Sequence, residues 1–420
     1  MFKTVSFNRV TIWYVIVALL FISFPWSERI NSVFILLLVI HWLADNKLVE
    51  KITQVKNHWK NIWPFWSFFA LHLLFLYKTH HWQDAMHTIE VKLSWLILPC
   101  LLATENYFNH TFQHRLFKLF CLSCLLSALY CVLAYYIHIY PINQWSLLFD
   151  RMYFSLYIMH PGYYSNFFVI AVIYLWLQLF QNKHMTQKET LLSSCLVILF
   201  LVTLFILVSK TAIIVLVLFF IYFIWKKLES LQQRMLKYLL FISVTVLTIF
   251  LFSQVPNINK RITETIHDIE KIDHQISFAN STGSRIAAWK LEWDIIQENP
   301  FWGHGTGNAN SLLISQFEKG QYADLITHQM HTHNQLLHTW IDLGLLGLLS
   351  LLFMFISSFI YFYKNNQTMG MWTVVLLFVY SATDDALEIQ SITVFCTFLI
   401  CLLLFENKKQ TLRSLQVKST

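Results

Sequence analysis

Long apolar runs alternate with short polar connections along almost the whole chain, and one polar stretch interrupts that rhythm. The runs fall at about 10–25, 31–45, 62–78, 92–104, 117–139, 163–181, 190–208, 211–227, 236–254, 338–363, 369–383 and 389–405. They are continuous rather than alternating with period two, so they predict spanning helices and not a strand-built barrel. Several are shorter than the ~20 residues that cross a bilayer upright. The pattern divides the chain into nine helices over 1–254, a polar island over 255–335, and three helices with a tail over 336–420.

The island carries a pattern of its own. Ile286, Trp289, Trp293 and Ile296 recur at helical spacing, with Lys290, Asp294 and Glu298 on other faces. Thr282 or Ser284 can cap this helix and Asn299-Pro300 stops it. A tryptophan stripe on such a helix predicts a position at the membrane interface. Arg285 falls in the first turn, where the helix dipole does not favour a cation, so an anionic partner is implied.

Composition fixes the class. The chain is 56% hydrophobic and only 13% charged, whereas a soluble domain is nearer half apolar and a quarter charged. The all-α polytopic membrane class follows, with about 12 spans. The net charge of +7 is small for 420 residues and implies no nucleic-acid partner. Its distribution gives an orientation: with the N-terminus inside, about nineteen of the 30 Lys and Arg residues fall in cytoplasmic segments. Both termini are then cytoplasmic and the 255–335 island periplasmic, which a cysteine at Asn308 labelled from outside would report. Lys3 and Arg9 followed by an apolar run resemble a signal sequence, but F-P-W replaces a small-residue cleavage site, so an uncleaved first span is expected. The seven cysteines lie in or beside apolar runs; Cys121 and Cys124 read as packing residues, and no disulfide framework is offered.

Candidate chemistry concentrates in the island. His333-Asn334, nine residues, Gly344, two residues and Gly347 form a spaced set. On a continuous helix Gly344 and Gly347 lie within about 40° of His333. The glycines would let that stripe approach a neighbouring helix, with His333 as a general base at its outer end or as an interfacial hydrogen-bonding histidine. No Asp, Glu or Cys lies within the H-Q-M-H-T-H-N cluster that holds His328, His331 and His333, so no metal set is expected. Lys210, in a tight turn between two apolar runs, either snorkels or meets an anionic partner. Gly303, Gly305 and Gly307 do not follow a strand, which excludes Rossmann and P-loop readings and leaves a flexible turn near an anionic ligand. Asp384 and Asp385 open a short outer loop, where acids are solvated or pair with a cation.

The run from Arg285 through Trp289 to Pro300, the glycine triplet and the H-N-x9-G-x-x-G element together resemble the O-antigen ligase and polymerase family of bacterial inner membranes. H-P-G-Y-Y-S from His160, S-K-T-A from Ser209 and D-D-A-L-E-I-Q from Asp384 are similar to further family patterns. The resemblance implies a C-type membrane glycosyltransferase fold in the inner membrane, acting without metal or other cofactor. It implies transfer of a glycan from an undecaprenyl-diphosphate carrier to an acceptor hydroxyl, with inversion. Arg285 would hold the diphosphate and His333 would be the base. Lys210 stands where relatives carry a second arginine, keeping the charge but losing the bidentate fork. Asn334, His331, His160, Arg151 and Trp289 would contact substrate, and Gly303, Gly305, Gly307, Gly344 and Gly347 would be structural. Ligation to lipid A–core leads, ahead of chain polymerisation and then of transfer to protein. The reading of another class is a transporter or lipid-linked glycan flippase. Against it, the polar residues gather at one outer face, whereas transporters place ion sites near the midplane.

Overall fold

The computed structural model describes residues 9–44, 47–105, 110–138, 154–182, 185–207, 209–228, 281–320, 322, 326 and 331–406. Among these residues every regular element is helical: α1 Arg9–Ser23, α2 Glu28–Leu43, α3 Leu48–Asn57, α4 Trp59–Leu74, α5 Trp82–Ala103, α6 His110–His138, α7 Pro161–Gln181, α8 Gln187–Leu207, α9 Lys210–Leu228, α10 Ser281–Glu298, α11 Ala309–Lys319, α12 Gln335–Lys364, α13 Thr368–Thr383 and α14 Gln390–Leu404, with 3-10 turns at Phe75–Lys78 and Ala386–Glu388. The protein is an all-α polytopic membrane protein. Five helices (α5, α6, α7, α8 and α12) are singly long and apolar enough to cross a bilayer, six if α2 and α3 form one bent span, and α1, α13 and α14 are shorter apolar helices. The run expected at 236–254 lies outside the described residues.

α4, α5, α14, α13 and α12 contact one another in turn and close into a ring, while α7 packs on α6, α8, α9 and α13. α14 is apolar all round and nearly every residue of it is buried, as expected of a helix with no solvent face. Phe395 on α14 meets Phe120, Phe24 and Phe167 at ring-centroid distances of 5.6, 5.0 and 4.8 Å. Such shape-matched contacts replace the hydrophobic drive that lipid cannot supply. Leu36 and Ile40 on α2 and Leu129 and Leu133 on α6 stay exposed in the isolated chain. On spanning helices these are lipid-facing positions.

Three expectations change in three dimensions. The fourth span begins at Trp82, ten residues before the expected start at 92. Lys92, where the apolar pattern broke, is fully buried and bound to Glu388 at 2.6 Å, so its charge is compensated inside the bundle. α12 is not continuous through Gly344, whose φ of 66° and ψ of −165° break it, so the glycine stripe does not carry His333 on one helical face. The Gly303–Gly307 turn is not loose. His304 and Gly305 donate backbone N–H bonds to the Ile341 and Asp342 carbonyls at 2.8 Å, and Leu345 donates to the Pro300 carbonyl at 2.9 Å. The turn therefore plugs the break, and a Cβ on Gly303 would lie 2.4 Å from the Gly344 nitrogen.

α10 ends at Glu298, where Asn299-Pro300 was expected to stop it. Its buried face is Ser284, Ala288, Glu292, Ile295 and Ile296 rather than the tryptophan stripe. Trp293 remains exposed and edge-on to Trp340. Cys121 and Cys124 are buried in α6, in keeping with packing roles.

The orientation test must move with the structure. Asn308 is buried and hydrogen-bonded to Lys78, His80 and His304, so a cysteine there would react poorly from either side. Lys319, exposed at the end of α11, is the better reporter. In a cysteine-free background Lys319→Cys reacts with a membrane-impermeant thiol reagent in intact spheroplasts. Labelling only after lysis rejects a periplasmic island.

Candidate active site

The site forms where the segment before α12 meets the turn between α13 and α14. Asn334 caps α12: its Oδ1 accepts from the Leu336 and Leu337 N–H groups at 3.0 and 3.3 Å. His333 therefore precedes the helix, with a φ of 43°, in the left-handed region that non-glycine residues adopt only when their surroundings hold them. Those surroundings are explicit. Gln335 donates its backbone N–H to the Asp384 carbonyl at 3.2 Å. Its side-chain Oε1 accepts from Leu387 N–H at 2.8 Å, and its Nε2 donates to Glu388 Oε1 at 2.8 Å. Trp289 Nε1 donates to the Thr332 carbonyl at 3.2 Å, fixing the residue before His333 from the α10 side.

So held, His333 Nδ1 lies 2.9 Å from Asp384 Oδ1. A carboxylate at Nδ1 accepts the N–H of that nitrogen and leaves Nε2 as the lone-pair side of the ring. No hydrogen bond to Nε2 occurs among the described residues. Burial would raise the Asp384 carboxyl, but the His333 and Asp385 hydrogen bonds and the His333 and Arg285 charges hold it down to about 2. Its neighbour goes the other way: burial and the Asp384 charge push Asp385 well up. Glu292 on α10 is also driven well up, by burial and then by Asp385. It is fully buried, with neither carboxyl oxygen hydrogen-bonded. One carboxyl held toward the ionised form thus sits beside two driven toward the neutral form.

Arg285 reaches the same corner. Its guanidinium donates to the Thr383 carbonyl at 2.8 Å, the residue before Asp384. Thr383 Oγ1 also meets Thr211 Oγ1 at 2.9 Å, which brings the N-terminus of α9, and with it exposed Lys210, to this end of the bundle. His160 caps α7, its Nδ1 accepting from Gly162 N–H at 3.3 Å, and its ring lies 5.0 Å from that of Tyr163, itself edge-on to Tyr380 near the end of α13. His331 is exposed, with its ring 6.4 Å from His333. Arg151 and His328 lie outside the described residues.

The glycine turn has an anionic occupant from the chain itself. Asp342 accepts backbone N–H bonds from Gly307 at 2.7 Å, Asn308 at 3.1 Å and Ala309 at 2.8 Å. Those donors are spent on structure rather than on a ligand. Gly347 is buried, but the atoms a Cβ there would meet belong to Leu343 at the helix break, not to another helix.

Two acids of this corner, Asp384 and Glu292, were not singled out by spacing. Asp384 lies 51 positions from His333, and only the fold pairs them. Glu292 follows Arg285 by two helical turns and so shares its face, which the sequence could have shown. The reason for expecting no metal also fails as stated. Carboxylates do reach the histidine, since His333, Asp384 and Asp385 offer donor atoms within 4.8 Å of one another.

His338, in the first turn of α12, belongs to the same buried network. It is buried, bonds Thr332 Oγ1 at 3.1 Å, and lies 3.5 Å from Glu388 and 3.7 Å from Asp342. Lys92→Met leaves the buried Glu388 carboxylate without its ion-pair partner, a class of change that costs about 3–5 kcal/mol. The variant should lower the thermal midpoint in detergent, and an unchanged midpoint would remove the pair's structural role. Asp384 carries a separate expectation. Because its folded carboxyl titrates below the unfolded value of about 3.9, its contribution to stability is full above that value and is lost as pH falls to about 2. Asp384→Asn should flatten that acid limb of the thermal midpoint, and an identical profile in the variant would contradict the pairing.

Comparison with known proteins meets this site. A protein of Haemophilus influenzae described as uncharacterized is 28% identical over 153 residues, 36% of this chain and 38% of the relative, so the match spans well under two thirds of that protein. Residues 195–354 match the O-antigen ligase family. That segment contains Lys210, Arg285 and His333 and stops short of Asp384. The resemblance seen in the motifs is thereby upheld over that segment, which is similar to the O-antigen ligase family.

Proposed function

We propose that the protein transfers a glycan from an undecaprenyl-diphosphate carrier to an acceptor hydroxyl at the periplasmic face of the inner membrane. The observation that carries this reading is the His333–Asp384 pair at 2.9 Å beside an Arg285 anchored on Thr383. A base with a free nitrogen and a cation held one residue away are what displacement of a lipid diphosphate by a hydroxyl requires. The acceptor oxygen attacks the anomeric carbon while the bond from that carbon to the diphosphate oxygen breaks. The hydroxyl proton passes to His333 Nε2, and Asp384 stabilises the imidazolium that results. The diphosphate leaves as an anion, with its growing charge met by Arg285 and Lys210. Thr383 takes one guanidinium N–H, and a guanidinium has five. Attack from the face opposite the leaving group inverts the anomeric centre.

The remaining candidates take roles that their protein bonds leave open. Trp289 has its N–H engaged, so its ring face is what a sugar can meet. Asn334 has its Oδ1 engaged and offers its amide N–H groups. His331 and His160 stand at the exposed edge. Ligation to lipid A–core is the leading reading, in line with the description of the matching family, and polymerisation is the alternative. Surface glycans of a deletion strain separate them: unligated lipid-linked polymer indicates a ligase, single-repeat caps a polymerase.

The roles are tested by measuring donor binding and transfer rate side by side in nanodiscs. Arg285→Ala removes a charge-assisted contact of about 1.5–3 kcal/mol, so donor use should fall by about one to two orders of magnitude. Lys210→Arg should preserve or raise activity, and Lys210→Ala should impair it. His333→Ala should spare donor binding and slow transfer by about 10²–10⁴-fold. Transfer should continue in excess EDTA, because cationic side chains take the place of a divalent ion. Normal transfer by His333→Ala would remove the base from this histidine. Activity lost in EDTA and restored by magnesium or manganese would turn the His333, Asp384 and Asp385 set into a metal site.

A further inference from the structure

The end of the bundle away from His333 holds a second feature that the glycan-transfer reading does not use. There α7, α9 and α12 finish and α13 begins, enclosing a cavity of about 480 Å³. Leu177, Phe223 and Met371 supply apolar wall, and Lys226 and Lys364 stand among its lining residues. Both lysines are exposed, and neither has a carboxylate partner among the described residues. A lysine in the last turn of a helix ordinarily complements the helix dipole. That ordinary role does not explain the cavity, whose lining also includes Gln367, with its Nε2 donating to the Leu403 carbonyl at 3.4 Å and to Glu406 Oε2 at 3.2 Å.

We propose that this cavity binds an anionic phospholipid, of the phosphatidylglycerol type, from the leaflet at that face. The phosphodiester would sit between the Lys226 and Lys364 ammonium groups, and an acyl chain would follow the apolar wall. Charge decides against one alternative occupant, the C-terminal segment. Residues 407–420 carry Lys408, Lys409, Arg413 and Lys418 and no acid, so this tail is repelled by the two lysines and favours an anionic surface itself. A zwitterionic choline lipid offers the same phosphate but brings a cation to the lysines.

The test is native mass spectrometry of the full-length, delipidated protein titrated with dioleoyl phosphatidylglycerol or dioleoyl phosphatidylcholine. The wild type should retain phosphatidylglycerol at least about tenfold more tightly than phosphatidylcholine. Lys226→Ala/Lys364→Ala should lose that preference, and Lys226→Arg/Lys364→Arg, which keeps both charges, should restore it. Lys188→Ala, an exposed lysine outside the cavity, should bind as the wild type does. Equal retention of the two lipids, or an alanine double variant that binds as the wild type, would overturn the site. Displacement by an equal concentration of inorganic phosphate would assign the lysines to a free anion instead of a lipid. The arginine variant keeps the proposal testable should the alanine variant fail to fold: loss of preference in a folded arginine variant would also reject it.

Discussion

Lys92 and Glu388 meet at 2.6 Å inside the helical ring, and the geometry of the His333 corner descends from that pair. A lysine within a spanning helix is costly unless its charge is met, and the turn after α13 is drawn inward to meet it. Burial would raise the Glu388 carboxyl, but Lys92, then His338 and Gln335, hold it far below the ordinary carboxylate range. Gln335 bonds both Glu388 and the Leu387 backbone, so the start of α12 is registered against the same turn. His333, two residues before Gln335, and Asp384, four before Glu388, are thereby brought together. The candidate base is positioned by a charge pair at a distance from it.

A second constraint holds the floor of the corner. The helix break at Gly344 opens backbone groups inside the protein, where unsatisfied polar groups are expensive. The 300–305 turn satisfies them, and Asp342 in return gathers the N–H groups at the start of α11. Only glycine tolerates the backbone at 303 and 344 together with so close an approach. The glycine motif is thus the seam joining the polar island to the membrane helices, and it keeps α10, with Arg285, at a set height above α13.

The electrostatics of the corner are divided rather than summed. Asp384 stays ionised because His333 and Arg285 face it, whereas burial and then the Asp384 charge drive Asp385 toward the neutral form, and burial and then Asp385 drive Glu292 the same way.

Sequence alone determined the class and most of the helices, because a bilayer demands long apolar runs and those are legible one residue at a time. It also marked Arg285 and His333, since polar residues are conspicuous against an apolar background. It misplaced the start of α5, because the pattern treats Lys92 as a break and cannot see Glu388 opposite it. It carried a helical face through Gly344, where the break depends on a turn some forty residues earlier. Above all it left Asp384 unassigned, because its partner is 51 residues away and their meeting depends on Gln335 binding the α13–α14 turn. Local pattern decides which segments are helices. Which acid faces which base is decided by the compensation of buried charge, and that exists only in the folded bundle.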